Sequence, residues 1–102
     1  MERLMNPMMS TLEQPLIREL IESMPSRDWI VTVFNNDHNT YDEVIMILLV
    51  ATECSMEEAE IETWEIDHLG KSVVHHGSES ECHDVAKVIS TIGIRVEVAQ
   101  EL

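Results

Sequence analysis

The chain is poor in several things, and each shortage excludes something. It holds six lysines and arginines against twenty aspartates and glutamates in 102 residues, a formal net charge of −14. A surface so acidic repels phosphate backbones and anionic lipid and attracts cationic ligands or basic protein surfaces, so neither nucleic acid nor membrane is an expected partner. The same acidity also fits adaptation to high salt. Aromatic residues make up only 4% of the chain while hydrophobic residues reach 44%. That is enough apolar material to fold, and it calls for an aliphatic core with methionine. No apolar run is long: the strongest, 44–51, is eight residues, where a membrane-spanning helix needs ~20. The two cysteines, Cys54 and Cys82, have no CxxC spacing, and no basic stretch leads into a continuous apolar one near the N-terminus. A reducing, cytoplasmic setting is the expectation. The length suits one domain with a modest core. G-x-S-x-G, H-E-x-x-H and P-loop patterns are all missing, so neither catalysis nor a cofactor is expected.

What is present divides unevenly. Residues 1–28 carry five acids and three bases, and 29–102 carry fifteen acids and three bases. All three prolines (Pro7, Pro15, Pro25) precede residue 26, and four of the seven methionines precede Met24. Residues 1–27 are therefore expected to form a partly flexible extension, and residues 28–102 the domain proper. Within the extension Leu16, Ile17, Leu20, Ile21 and Met24 recur at helical spacing after Pro15, which suits a short helix over 15–24.

The domain opens with Trp29-Ile-Val-Thr-Val-Phe34, a β-branched and aromatic run that predicts a strand, followed by five residues of turn chemistry, Asn35 to Asn39. Thr40 with Glu43 three residues later reads as a capping box, and Val44, Ile45, Ile47, Leu48 and Ala51 give a helix running to about Cys54. Ser55 and Glu58 repeat the signal for a second helix through Ala59, Ile61, Thr63 and Ile66, ended by Gly70. A short β-prone run, Lys71 to His76, precedes a helix over 79–92 with Cys82, Val85, Ala86, Val88 and Ile89 on one side. Ile94-Arg-Val-Glu-Val98 alternates as a half-buried strand does. The predicted class is α+β: a small, mainly antiparallel three-stranded sheet packed against three helices, in the order β-α-α-β-α-β.

Three constellations have the residue types for chemistry. Cys82 and His83 are adjacent, but neighbours on a helix point about 100° apart, and Cys82 falls on the apolar stripe, so a core thiol is the better reading. His75, His76, Cys82 and His83 lie within nine residues, yet adjacent histidines on a strand face opposite sides and the spacing matches no strong metal motif. The loop Asn35-Asn36-Asp37-His38-Asn39 is the third. It is either a self-capping turn or a cluster of acceptors for a cation such as a free α-amino group. Asp67 sits near the C-terminus of the second predicted helix, where a carboxylate is unfavourable unless something cationic compensates.

These residues resemble the ClpS family, adaptors that deliver N-degron substrates to the bacterial Clp protease. The resemblance covers roughly 28–102 and rests on three features: the loop Val33-Phe34-Asn35-Asn36-Asp37-His38-Asn39-Thr40-Tyr41, the helix end Ile66-Asp67-His68-Leu69-Gly70-Lys71, and the element order. It implies that Asn35, Asn36 and Asp67 surround a client's α-amino group, and that Asp37, Asn39, Tyr41, Val44, Thr63 and Ile66 belong to the pocket for the first side chain. The family's usual residues are Asp at 36, His at 67 and Met at both 41 and 63, so a carboxylate has been relocated without being lost. The resemblance also implies docking on a Clp-type AAA+ unfoldase through the third helix, with Glu79 kept and Asp84 near the place of a usual Lys. The rival expectation is a small regulatory or structural interaction domain of this fold that has lost amine recognition.

Overall fold

The computed structural model describes residues 28–101. The expected extension 1–27 and its helix over 15–24 lie outside the described residues. Three strands and three helices follow in the order β1 (Trp29–Phe34), α1 (Tyr41–Thr52), α2 (Met56–Leu69), β2 (Lys71–Gly77), α3 (Glu79–Ile89) and β3 (Val96–Gln100), with a 3-10 turn, Ser90–Ile92, after α3. This is the predicted α+β class. The sheet order is β2-β1-β3 and both pairings are antiparallel.

β1 is central because it is the most β-branched run and can be buried by neighbours on both edges. Its Val31 and Val33 are fully buried and face the helices. Leu48 of α1, Ala59 and Ile66 of α2, and Cys82 and Ile89 of α3 close over them, each no more than 2% exposed. Each helix is started by its own hydroxyl. Thr40 Oγ1 accepts from the Glu43 N–H at 3.1 Å while Glu43 Oε1 accepts from the Thr40 N–H at 2.9 Å. At the starts of α2 and α3 the Ser55 and Ser78 hydroxyls accept from the N–H groups of Glu58 and Glu81, each at 3.1 Å. Caps of this kind are worth about 1 kcal/mol each.

Four local features outside the sequence reading have physical causes. β3 starts at Val96 rather than Ile94, because Ile94 is drawn into the core and the Phe34 N–H already bonds the Arg95 carbonyl at 3.0 Å. The helix expected over 79–92 tightens into the 3-10 turn after Ile89, and Gly93 then takes a left-handed conformation that ends it. On α2 the buried face is Ala59, Glu62, Thr63 and Ile66, while Ile61 is 53% exposed. A 3.6-residue period anchored at Ala59 and Ile66 selects positions 62 and 63 and rotates 61 outward. In β2 the register with β1 slips between Val31 and Thr32, which pair with His75 and Val73, so Val74 is the extra residue of a bulge. Val74 is thereby buried, and His75 is left half-buried at the edge of the core.

Candidate functional site

β1 hands over to α1 beside the point where α2 ends, and backbone bonds fix that meeting. The Asn35 N–H donates to the Gly70 carbonyl at 2.9 Å, and the Gly70 N–H to Ile66 at 3.2 Å. Gly70 has φ 93, a left-handed turn that glycine makes without strain and that brings the chain sharply round from α2 to β2. A small cavity of about 40 Å³ forms in this angle, lined by Asn35, Asn39, Thr40, Tyr41, Val44, Thr63, Ile66 and Asp67.

Polar and apolar linings are separated by element. The floor is Val44, Thr63 and Ile66, each at most 5% exposed. The Thr63 hydroxyl is spent on the Ala59 carbonyl at 2.7 Å, so it offers the cavity no free donor. Asn35 and Asp67 are exposed at the mouth, and Tyr41, 41% exposed, forms one rim. The Asp67 carboxylate lies 3.5 Å from the His68 ring, but His68 turns the other way. Its Nδ1 is 3.0 Å from the Trp64 carbonyl and its ring stacks on Trp64 with centroids 4.3 Å apart. A one-residue step rotates a helix side chain by about 100°, which is why Asp67 lines the cavity and His68 does not.

The loop divides its own residues between scaffold and site. Asn36 is scaffold: its Oδ1 accepts from the N–H groups of His38 and Asn39 at 3.2 and 3.1 Å, and its Nδ2 donates to Asn39 Oδ1 at 2.8 Å. Asn39 in turn donates to the Ile92 carbonyl at 2.9 Å and to Glu43 at 3.2 Å, tying the loop to the turn after α3 and to α1. Hydrogen bonds, first from the Thr40 backbone and then from the Asn39 side chain, hold the Glu43 carboxyl below its ordinary range. Of the residues expected here, Asn35, Asn39, Tyr41, Val44, Thr63, Ile66 and Asp67 come together. Asn36 faces into its own loop and Asp37 is exposed outside the cavity. Thr40 also lines it, a position that reads in the sequence only as a helix cap.

The remaining candidates lie apart. Glu79 and Asp84 are exposed on α3, Glu79 with its carboxylate 3.8 Å from His83 Nε2. Cys82 is fully buried, and burial raises its thiol pKa, as suits a core thiol. Among the described residues no group of three or more His, Cys, Asp or Glu is placed to hold a metal ion. No helix among them is long and apolar enough to cross a membrane.

The family model described as ATP-dependent Clp protease adaptor protein ClpS matches residues 24–96, most of the chain. The chain belongs to the ClpS family. That family is one of adaptors rather than catalysts. Among solved structures the fold is similar to Agrobacterium tumefaciens ClpS2 bound to L-phenylalaninamide, with a TM-score of 0.67 and 16% identity over 72% of this chain and 95% of that one. The chain is also 30% identical over 79 residues to the E3 ubiquitin-protein ligase UBR1 of human and of mouse. These residues are 78% of this chain but about 4% of the ligase, so the likeness is to one small region of a much larger protein.

Proposed function

We propose that the domain binds the free N-terminal residue of client proteins and, as an adaptor, hands the client to a Clp-type AAA+ unfoldase. The observation that carries the reading is the cavity between the loop and the end of α2, with an apolar floor and a mouth bearing the Asn35 carboxamide and the Asp67 carboxylate. An α-ammonium needs acceptors, and a bulky hydrophobic first side chain needs an apolar recess beneath them. The small volume, about 40 Å³, requires Tyr41 at the rim to swing outward as the side chain enters. Support comes from the family match and from the related ClpS2, which holds a phenylalanine derivative.

In this reading Asp67 supplies the counter-charge that the negative end of α2 would otherwise make unfavourable, and a bound ammonium relieves both. Asn36 acts one step removed, by holding the loop that presents Asn35. The second part of the reading, delivery, assigns residues 1–27 to engaging the unfoldase and Glu79 and Asp84 of α3 to its docking face. The test is a pair of substitutions in the full chain, read by titration with a peptide that begins with phenylalanine. Asp67→Asn keeps size and deletes the charge, and binding should weaken several-fold, in keeping with the ~1.5–3 kcal/mol of a hydrogen bond to a charged group reduced by solvent. His68→Asn should change it much less. The reverse pattern would mean that the histidine, not the aspartate, meets the amine.

A further inference from the structure

A second set of polar groups gathers on another side of α2, away from Thr63 and Asp67. Glu58 and Glu62, one turn apart, line a cavity of about 290 Å³ together with Cys54 of the α1–α2 connection and His75 and His76 of β2. Two buried atoms in it lack partners. Glu62 is 8% exposed, and its Oε1 is buried with no hydrogen bond. His75 Nε2 is buried with none either, its nearest acid being Glu81 Oε1 at 3.6 Å. Buried polar groups are nearly always satisfied, so an orphaned carboxylate oxygen beside a cavity marks a place built for a donor.

The lining selects the donor. Two carboxylates side by side in a chain of net charge −14 call for a cation. The described residues place no group of three ligands for a metal ion. A guanidinium is planar and presents paired N–H donors that match carboxylate oxygens, and its weak hydration suits a half-enclosed recess. We propose that this cavity is a second binding site, taking the guanidinium of an arginine side chain presented by a partner protein, with Glu62 and Glu58 as its acceptors.

Binding there is coupled to a proton. Burial first, and then the neighbouring acids Glu58 and Glu65, push Glu62 up to about 8. The groups facing it are Glu58 and Glu65 on its own helix, Cys54 on the connection, and His75 and His76 on β2. Glu65 is itself held by the Ser72 hydroxyl at 2.6 Å. An arriving guanidinium takes the place of the proton on Glu62, which leaves to solvent.

The probe is N-acetyl-arginine amide, whose blocked amino group keeps it from the amine acceptors around Asn35 and Asp67. Failure at one cavity is therefore separable from failure at the other. Titrated into the full chain and followed by amide chemical shifts, it should move the signals of Cys54, Glu62 and Val73 to His76. The citrulline counterpart, of the same shape but neutral, should not. Glu62→Gln, nearly isosteric, should weaken binding at least tenfold, and the exposed Glu58→Gln several-fold. Binding should be about tenfold weaker at pH 7 than at pH 9, as release of one proton near 8 requires. Equal binding of the citrulline analogue, shifts scattered over all surface carboxylates, or unchanged affinity in both variants would overturn the proposal.

Discussion

Replacing Glu62 by glutamine should stabilise the domain, and by an amount that depends on pH. The residue is 92% buried by its 8% exposure, and its carboxyl titrates at about 8 instead of the ordinary 4.5, chiefly because burial penalises the charge. The folded state therefore keeps a proton that the unfolded chain releases between these two values. Stability from this group is fully present below pH 4.5 and is lost as pH rises toward 8. Raising a carboxyl from 4.5 to about 8 corresponds to at most ~5 kcal/mol against its charged form. Glu62 borders an open cavity, so solvent screening brings this to roughly 2–3 kcal/mol. Glutamine has the same shape and no charge to bury. Urea unfolding of parent and variant across pH 4.5 to 9 should show midpoints that differ little at the acid end and diverge steadily in favour of Glu62→Gln above neutrality. The repulsion among the other acids is common to both proteins and cancels in the difference. A constant difference across the range, or a parent that gains on the variant as pH rises, would refute the placement of Glu62.

Three further outcomes follow from the same geometry. Tyr41→Ala should open the rim of the 40 Å³ cavity and shift preference in a panel of first residues toward larger side chains; an unchanged ranking would remove Tyr41 from the pocket. Deleting residues 1–25 should leave peptide binding intact and abolish degradation of a client in a reconstituted unfoldase–protease system, whereas lost binding would mean that the segment packs on the domain. Leu48→Ala, at a fully buried position against β1, should cost about 2–5 kcal/mol by urea unfolding, and a loss under 1 kcal/mol would place it outside the core.

Much of the fold was legible because local signals and tertiary demands agree. The β-branched run of β1, the hydroxyl caps at Thr40 and Ser55, and the glycine at 70 each act over a few residues and need no knowledge of the rest. What escaped the sequence depends on non-local packing. Glu62 lies on the buried face of α2 only because Ala59 and Ile66 fix the helix rotation, and a hydrophobic pattern passes over an acid in favour of its neighbour Ile61. The bulge at Val74 comes from register against β1, which nothing within β2 encodes. Within the site, the acceptor loop was visible as a polar stretch, but its division into Asn36 as brace and Asn35 as mouth depends on hydrogen bonds to His38, Asn39 and Gly70. Asp67 was readable through its misfit with the helix dipole, a local electrostatic signal.

The central claim is that this domain holds a free amino-terminus, and one comparison tests it most directly. A peptide beginning with phenylalanine is titrated into the full chain beside its N-acetylated twin, at a pH near 6.5 where the free amine carries its charge. Acetylation removes the cation and leaves the side chain untouched. The account predicts saturable binding of the free peptide and a loss of more than tenfold on acetylation, since hydrogen bonds to a charged group are worth ~1.5–3 kcal/mol each. Equal affinity for the two peptides would contradict it.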